Sequence, residues 1–268
     1  MVKRALTALI LLAAAMPALL FGGIYFFIFL GFFILAAAYE YTQLFRAIQI
    51  EPSPWITVGG VFLILLTRDF YPQTSSGVFA ALLLAALGFH AIAYERGREK
   101  AALDFAATAA GLAYLGWVGA YLLDLRNLPN GGWWVFLVLP SVWMADTGAY
   151  SIGAAYGRHK LAPRLSPNKS WEGYWAGVFT GTLYGGFFAF AYSTWGPLDV
   201  SIWQGAILGL ILSVVAPLGD LGESLFKRPG GIKDSGSIIP GHGGAFDRID
   251  AWLWAAVIGY YYIRWFLI

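Results

Sequence analysis

This chain reads as an all-α, polytopic integral membrane protein of about nine transmembrane helices. Of its 268 residues, 59% are apolar and only 12% are charged, and the mean hydropathy is +0.66. A soluble domain is about 25% charged, and one of this length has too little interior to hide so much apolar surface. The apolar residues also come in runs of the length that a hydrocarbon core of about 30 Å selects. A chain so poor in charge is not a disordered one, and a net charge of +2 gives no field pointing to nucleic acid. Cysteine is absent, which removes disulfides, thiolate metal sites and cysteine nucleophiles together.

Apolar runs between their breakers place the helices at residues 5–21, 24–45, 54–67, 78–94, 105–123, 133–153, 171–195, 202–219 and 251–267. Lys3 and Arg4 before the first run also suit a signal peptide, but the run is read as a span. With nine spans, the N-terminus and the even-numbered loops share one face. That face carries 14 of the 17 Lys and Arg residues, and only Arg68, Arg126 and Arg264 fall on the other. The positive-inside rule then places the N-terminus and the long loops in the cytoplasm of a cell (inner) membrane, with the C-terminus outside. The charged stretch 95–100 is read as a topology determinant with solvated ion pairs. Two halves are expected: an N-terminal scaffold of about four helices over 1–104, and a catalytic half with two polar cytoplasmic loops over 105–268. Gly173, Gly177, Gly181 and Gly185 form a smooth stripe on the seventh span, and Gly205 and Gly209 repeat the spacing on the eighth, which is the pattern of close helix packing.

Nearly everything polar sits in those two loops. The first runs from Asp146-Thr-Gly-Ala-Tyr150 to Leu165-Ser-Pro-Asn-Lys-Ser-Trp-Glu-Gly173, and the second from Asp220 through Ser224-Leu-Phe-Lys-Arg228 and Lys233-Asp-Ser-Gly236 to Pro240-Gly-His-Gly-Gly-Ala-Phe-Asp-Arg-Ile-Asp250. Spans six and eight end at the cytoplasmic face and seven and nine begin there, so Asp146, Glu172, Asp220, Glu223, Asp247 and Asp250 are expected at one depth. On a helix, Asp220, Glu223, Ser224 and Lys227 fall at i, i+3, i+4 and i+7, a single stripe of acid, acid, hydroxyl and cation. Carboxylates near bilayer depth are costly unless paired with cations or metals, which makes each a functional candidate. Such hard oxygen ligands suit Mg²⁺, and the surrounding Lys and Arg supply the charge that phosphates require. His90, alone in an apolar span, reads as a packed residue; His242, among glycines, has the backbone freedom to reach a phosphate or a proton. The P-loop, His-Glu-x-x-His and Gly-x-Ser-x-Gly strings are all missing. Phosphoryl or nucleotidyl transfer to a lipid is the chemistry these residues describe.

The run from Ser224 to Asp250 resembles the signature of the phosphatidate cytidylyltransferases, or CDP-diacylglycerol synthases, and the blocks at Asp146 and Leu165 resemble a second conserved block of that family. Ala245 and Ala251 depart from the pattern at positions that bear no charge. The resemblance implies transfer of the cytidylyl group of CTP to phosphatidic acid with release of pyrophosphate, for phospholipid biosynthesis, in an all-helical membrane fold. It also implies Mg²⁺, with room for a second cation, and a homodimer. Asp220, Asp247, Asp250 and Ser224 are then the expected metal ligands. Lys227, Arg228, Lys233 and Arg248 are the expected phosphate clamps, and Lys169 is expected to bind the second phosphate substrate. Asp146, Asp234 and His242 are expected to shape the site. A cytidylyltransferase for another lipid phosphate, such as an ether lipid, shares this pattern. A cation transporter would instead show acids near the midplane on broken helices in paired repeats.

Overall fold

The structure, a computed structural model, describes residues 2–239 and 243–268, the side chains of residues 2–8 and 10–12 excepted. Its helices are α1 (Val2–Phe21), α2 (Gly23–Arg46), α3 (Pro54–Phe70), α4 (Ser75–Glu95), α5 (Ala101–Gly111), α6 (Tyr121–Asn127), α7 (Gly131–Tyr156), α8 (Trp171–Thr194), α9 (Ile202–Val215), α10 (Pro217–Lys227) and α11 (Phe246–Phe266). One antiparallel hairpin, β1 (Lys160–Ala162) and β2 (Ser166–Ser170), lies between α7 and α8. Every expected span falls on a helix. Among the described residues, five helical stretches are long and apolar enough to cross a bilayer: Gly23–Arg46, Pro72–Glu95, Ala101–Asn127, Gly131–Tyr156 and Ile202–Gly230. The chain is an all-α, polytopic membrane protein.

Two expected spans differ in detail. The stretch 105–123 is interrupted by a π-helical turn over Leu112–Val118 between α5 and α6. The stretch 202–219 is two helices, because Pro217 has no amide to donate and begins α10 afresh. That restart carries helix on to Lys227, so the stripe from Asp220 to Lys227 is indeed helical.

The residues gather into two compact units. The first holds the chain up to Asp124 together with Phe226–Ile249. Within it, α1 to α5 pack in chain order. Phe33, Ile34, Tyr41, Leu44, Ile64, Leu65, Leu112 and Leu115 are buried there. Tyr41 keeps its polar tip satisfied by donating to the Ala107 carbonyl at 2.8 Å, while its ring meets Phe226 and Phe246 edge-on. Ser53 caps α3 ahead of Pro54. His90 is packed as expected, its Nε2 2.9 Å from Thr108 Oγ1. Arg68 grips Asp124 through two nitrogens and lies over the Trp117 ring, which satisfies a charge pair that apolar surroundings make costly to break.

The second unit holds Leu125–Leu225 and Asp250–Ile268. Its core is the packing of α8 between α7 and α9. Here the glycine stripe closes the helices together. A Cβ on Gly177 would lie 2.8 Å from the Ala145 carbonyl of α7, and one on Gly185 would lie 2.8 Å from Gly209 Cα of α9. Apolar lipid gives helices no hydrophobic reason to associate, so such backbone approach supplies the dispersion contact instead. Pro140 inside α7 cannot donate to the Phe136 carbonyl, and the Tyr192 hydroxyl of α8 takes that carbonyl at 3.4 Å. Ser170 caps α8, and Ser201 with Gln204 closes a capping box on α9.

Candidate active site

The acids and lysines that the sequence singles out form two clusters, one in each unit. In the second unit the β1–β2 hairpin returns the chain to the start of α8 and carries Lys169 on its last strand. Lys169 forms an ion pair with Asp220 in the first turn of α10. Asp146 of α7 interacts electrostatically with both. These three side chains, with Tyr150, Tyr174 and Ser170, line a cavity of about 320 Å³. Asp250 of α11 shares a hydrogen bond with Asp220 and feels the charge of Glu223. Gly219 permits that approach, since a Cβ there would lie 2.6 Å from the Asp250 carbonyl. Glu223, Ser224 and Asp250 are buried. Glu172, by contrast, folds back on the hairpin: it meets His159 Nδ1 at 2.6 Å and accepts the amides of Arg158 and His159.

In the first unit the organising groups are two carboxylates. Asp247, in the first turn of α11, accepts Lys227 Nζ on Oδ1 at 2.6 Å. Its Oδ2 accepts the Ser235 amide at 2.9 Å, the Gly244 amide at 2.9 Å and the Ser235 hydroxyl at 3.1 Å. Glu40, near the end of α2, accepts the amides of Ala245 and Phe246 at 3.1 and 2.9 Å and the Ser235 hydroxyl at 2.9 Å. A hydroxyl has one proton, so Ser235 can serve only one of the two carboxylates at a time. The amides at the start of α11 carry the positive end of the helix dipole, which favours anions there. Gly243 has φ +82°, a backbone that other residues rarely adopt, and a Cβ on it would lie 3.0 Å from Asp247 Oδ2. Arg228 closes the turn after α10 by donating to the Ile232 carbonyl at 3.0 Å. Lys233, Asp234 and Arg248 stand at least partly open to solvent, and His242 lies outside the described residues.

Of the expected site residues, the structure therefore brings Asp146, Lys169, Asp220 and Asp250 together in one cluster, and Lys227 and Asp247 in the other. Glu40 carries no signal of this kind in the sequence, and neither does Ser235 as a polar partner in its own right. The second unit's cluster sets four carboxyl groups, Asp146, Asp220, Glu223 and Asp250, in the neighbourhood of the Lys169 ammonium. Two carboxyls joined by a hydrogen bond hold a proton between them, and a cation is the natural replacement for it. Among the described residues no three carboxyl or imidazole groups form a ready cage for a metal. Mg²⁺ asks for less, one or two carboxylates beside waters and substrate phosphates, so the donor set fits it.

Known proteins match this chain along nearly its whole length. The model of the cytidylyltransferase family matches residues 2–266. A phosphatidate cytidylyltransferase of Synechocystis sp. is 32% identical over 288 residues, covering 97% of this chain and 96% of its own. One from Staphylococcus aureus (strain COL) is 33% identical over 257 residues, with 93% and 94% covered. One from Mycobacterium leprae is 31% identical over 241 residues, with 85% and 76% covered. Matched from end to end, and through both clusters, the chain belongs to the cytidylyltransferase family.

Proposed function

We propose that this protein transfers the cytidylyl group of CTP to phosphatidic acid, giving CDP-diacylglycerol and pyrophosphate for phospholipid biosynthesis. The observation that carries the reading is the cluster of Asp146, Asp220 and Asp250 around Lys169, on helices of a membrane protein whose relatives bear the name phosphatidate cytidylyltransferase. A phosphate oxygen of phosphatidate attacks the α-phosphorus of CTP and forms the new P–O bond, while the bond to the β-phosphate oxygen breaks and pyrophosphate leaves in line. The attacking oxygen is already anionic at neutral pH, so no strong general base is required. What the protein must do is hold several anions together, and that is electrostatic work.

Mg²⁺ is the proposed cofactor, with room for a second cation; Asp220, Asp250 and Ser224 of the second unit and Asp247 of the first are the proposed sources of oxygen ligands. When bound, it neutralises the triphosphate and the leaving pyrophosphate. Lys227, Arg228, Lys233 and Arg248 are proposed to grip phosphates, and Lys169 to hold the second phosphate substrate. Asp146, Asp234 and His242 shape the site around them. The enzyme is proposed to act as a homodimer in the cell membrane, with its polar loops and N-terminus in the cytoplasm, as the distribution of Lys and Arg supports.

Purified protein in detergent, given CTP, Mg²⁺ and a panel of lipid phosphates, tests this through pyrophosphate release. The reading expects release with phosphatidate and none without a lipid phosphate. No release with any member of the panel would overturn it.

A further inference from the structure

A second cavity, of about 610 Å³, lies wholly within the first unit and holds none of the residues assigned to the reaction. It is built from the end of α2, the start of α3, the end of α4 and the loop that follows, so all its walls come from helix ends on one membrane face. Three of its lining residues are Arg46, Arg96 and Arg98. Arg98 is already committed: it donates to Asp104 at 2.7 Å and to the Gln49 carbonyl at 2.9 Å, and it pairs with Glu51 at 3.4 Å. Its hydrogen bonds to Asp104 hold the guanidinium above its usual pKa. Those contacts fix the loop, and the single charge of Arg98 is shared between the two acids of the cavity. Arg46 and Arg96 make no ion pair among the described residues. The cavity therefore holds three arginines against two acids, and two of the three, Arg46 and Arg96, are engaged in no ion pair among the described residues.

The remaining wall has a different character. Phe89 and Ile92 of α4 are 50% and 55% exposed, and Trp55 at the start of α3 is 88% exposed. The window over Pro72–Glu95 that is long enough to span a membrane is only 11% buried, so most of this apolar helix is exposed, as a helix surrounded by lipid would be. An exposed Trp at a helix end is the usual occupant of the lipid–water boundary. Two exposed arginines without ion pairs and an exposed apolar wall thus line the same cavity, so that it offers charge to a headgroup beside apolar surface for acyl chains. We propose that this cavity is a second phosphate site, which takes the headgroup of an anionic phospholipid on Arg46 and Arg96 and lays its acyl chains along Phe89 and Ile92. Guanidinium forks suit phosphate oxygens better than point charges do. The charges of this loop then serve more than orientation.

Native mass spectrometry of the purified protein, released from micelles doped with phosphatidylglycerol, reads the proposal without any dependence on catalysis. Wild-type protein should retain the lipid, and the Arg46→Gln, Arg96→Gln double variant should retain it about tenfold less or worse, the loss expected from charge-assisted contacts. The Arg46→Lys, Arg96→Lys pair keeps every positive charge that sets topology but loses the forks, and should fall between. Equal retention by all three proteins would overturn the site. Binding of inorganic phosphate by wild type alone, with phosphatidylglycerol retained equally by wild type and variants, would overturn the lipid as its occupant.

Discussion

Glu40 and Asp247 each hold a buried or half-buried carboxylate against backbone amides of a single loop, so that the loop's path depends on two charges from different helices. Removing the charge of Glu40 should loosen the loop. Glu40→Gln keeps the size but turns one acceptor oxygen into a donor facing the Ala245 and Phe246 amides. A destabilisation of about 1.5–3 kcal/mol is expected, read as a lower thermal midpoint in detergent against an unchanged helical spectrum. Asp220, which holds Lys169 and shares a hydrogen bond with Asp250, is proposed to serve the chemistry instead. Asp220→Asn should leave the folded protein intact and lower cytidylyl transfer by about 10²-fold or more, the loss typical of a charge-stabilising group; near-normal turnover by purified mutant would remove Asp220 from the ligand set. The sequence made Asp220 visible because its neighbours repeat at helical spacing, whereas Glu40 is one acid inside an apolar run. Its partner Ser235 lies 195 residues away, and no local pattern joins the two.

Helices were the most legible elements, because a hydrocarbon core demands long apolar runs and the chain supplies them. The interruptions were not legible. The π-helical turn over Leu112–Val118 leaves no mark on hydropathy, and Pro217 reads equally well as the end of one helix or the start of another. It is a start, and the helical stripe from Asp220 to Lys227 depends on that. The glycine stripe was read for what it does, because small residues at every fourth position can serve only one helix face. Its energetic weight can be measured by contrast. Gly209→Leu would drive a side chain into the Gly181 carbonyl and should part α8 from α9, at a cost of about 1–3 kcal/mol or more. Gly59→Leu, on α3 with nothing within 4 Å of the new Cβ, should leave the thermal midpoint near wild type. Equal effects of the two would mean that the stripe is not a packing surface.

For the whole molecule, the partition of Lys and Arg, 14 against 3, fixes the expected orientation. A tag after Ile268 should be digested from outside sealed cells and one before Met1 protected; both tags on one side would mean an even number of crossings. The proposed orientation would put the polar loops on the side where CTP is, with a bilayer beside them from which to take a lipid. The central claim is that the α-phosphorus of CTP moves to that lipid. The decisive measurement supplies phosphatidate and Mg²⁺ with CTP labelled at either its α- or its γ-phosphorus, and follows the label into the lipid fraction. Cytidylyl transfer predicts α-label in the lipid and γ-label in pyrophosphate, both lost on chelation of the metal and restored by adding Mg²⁺. Label from the γ-phosphorus in the lipid, or no labelled lipid at all, would contradict it.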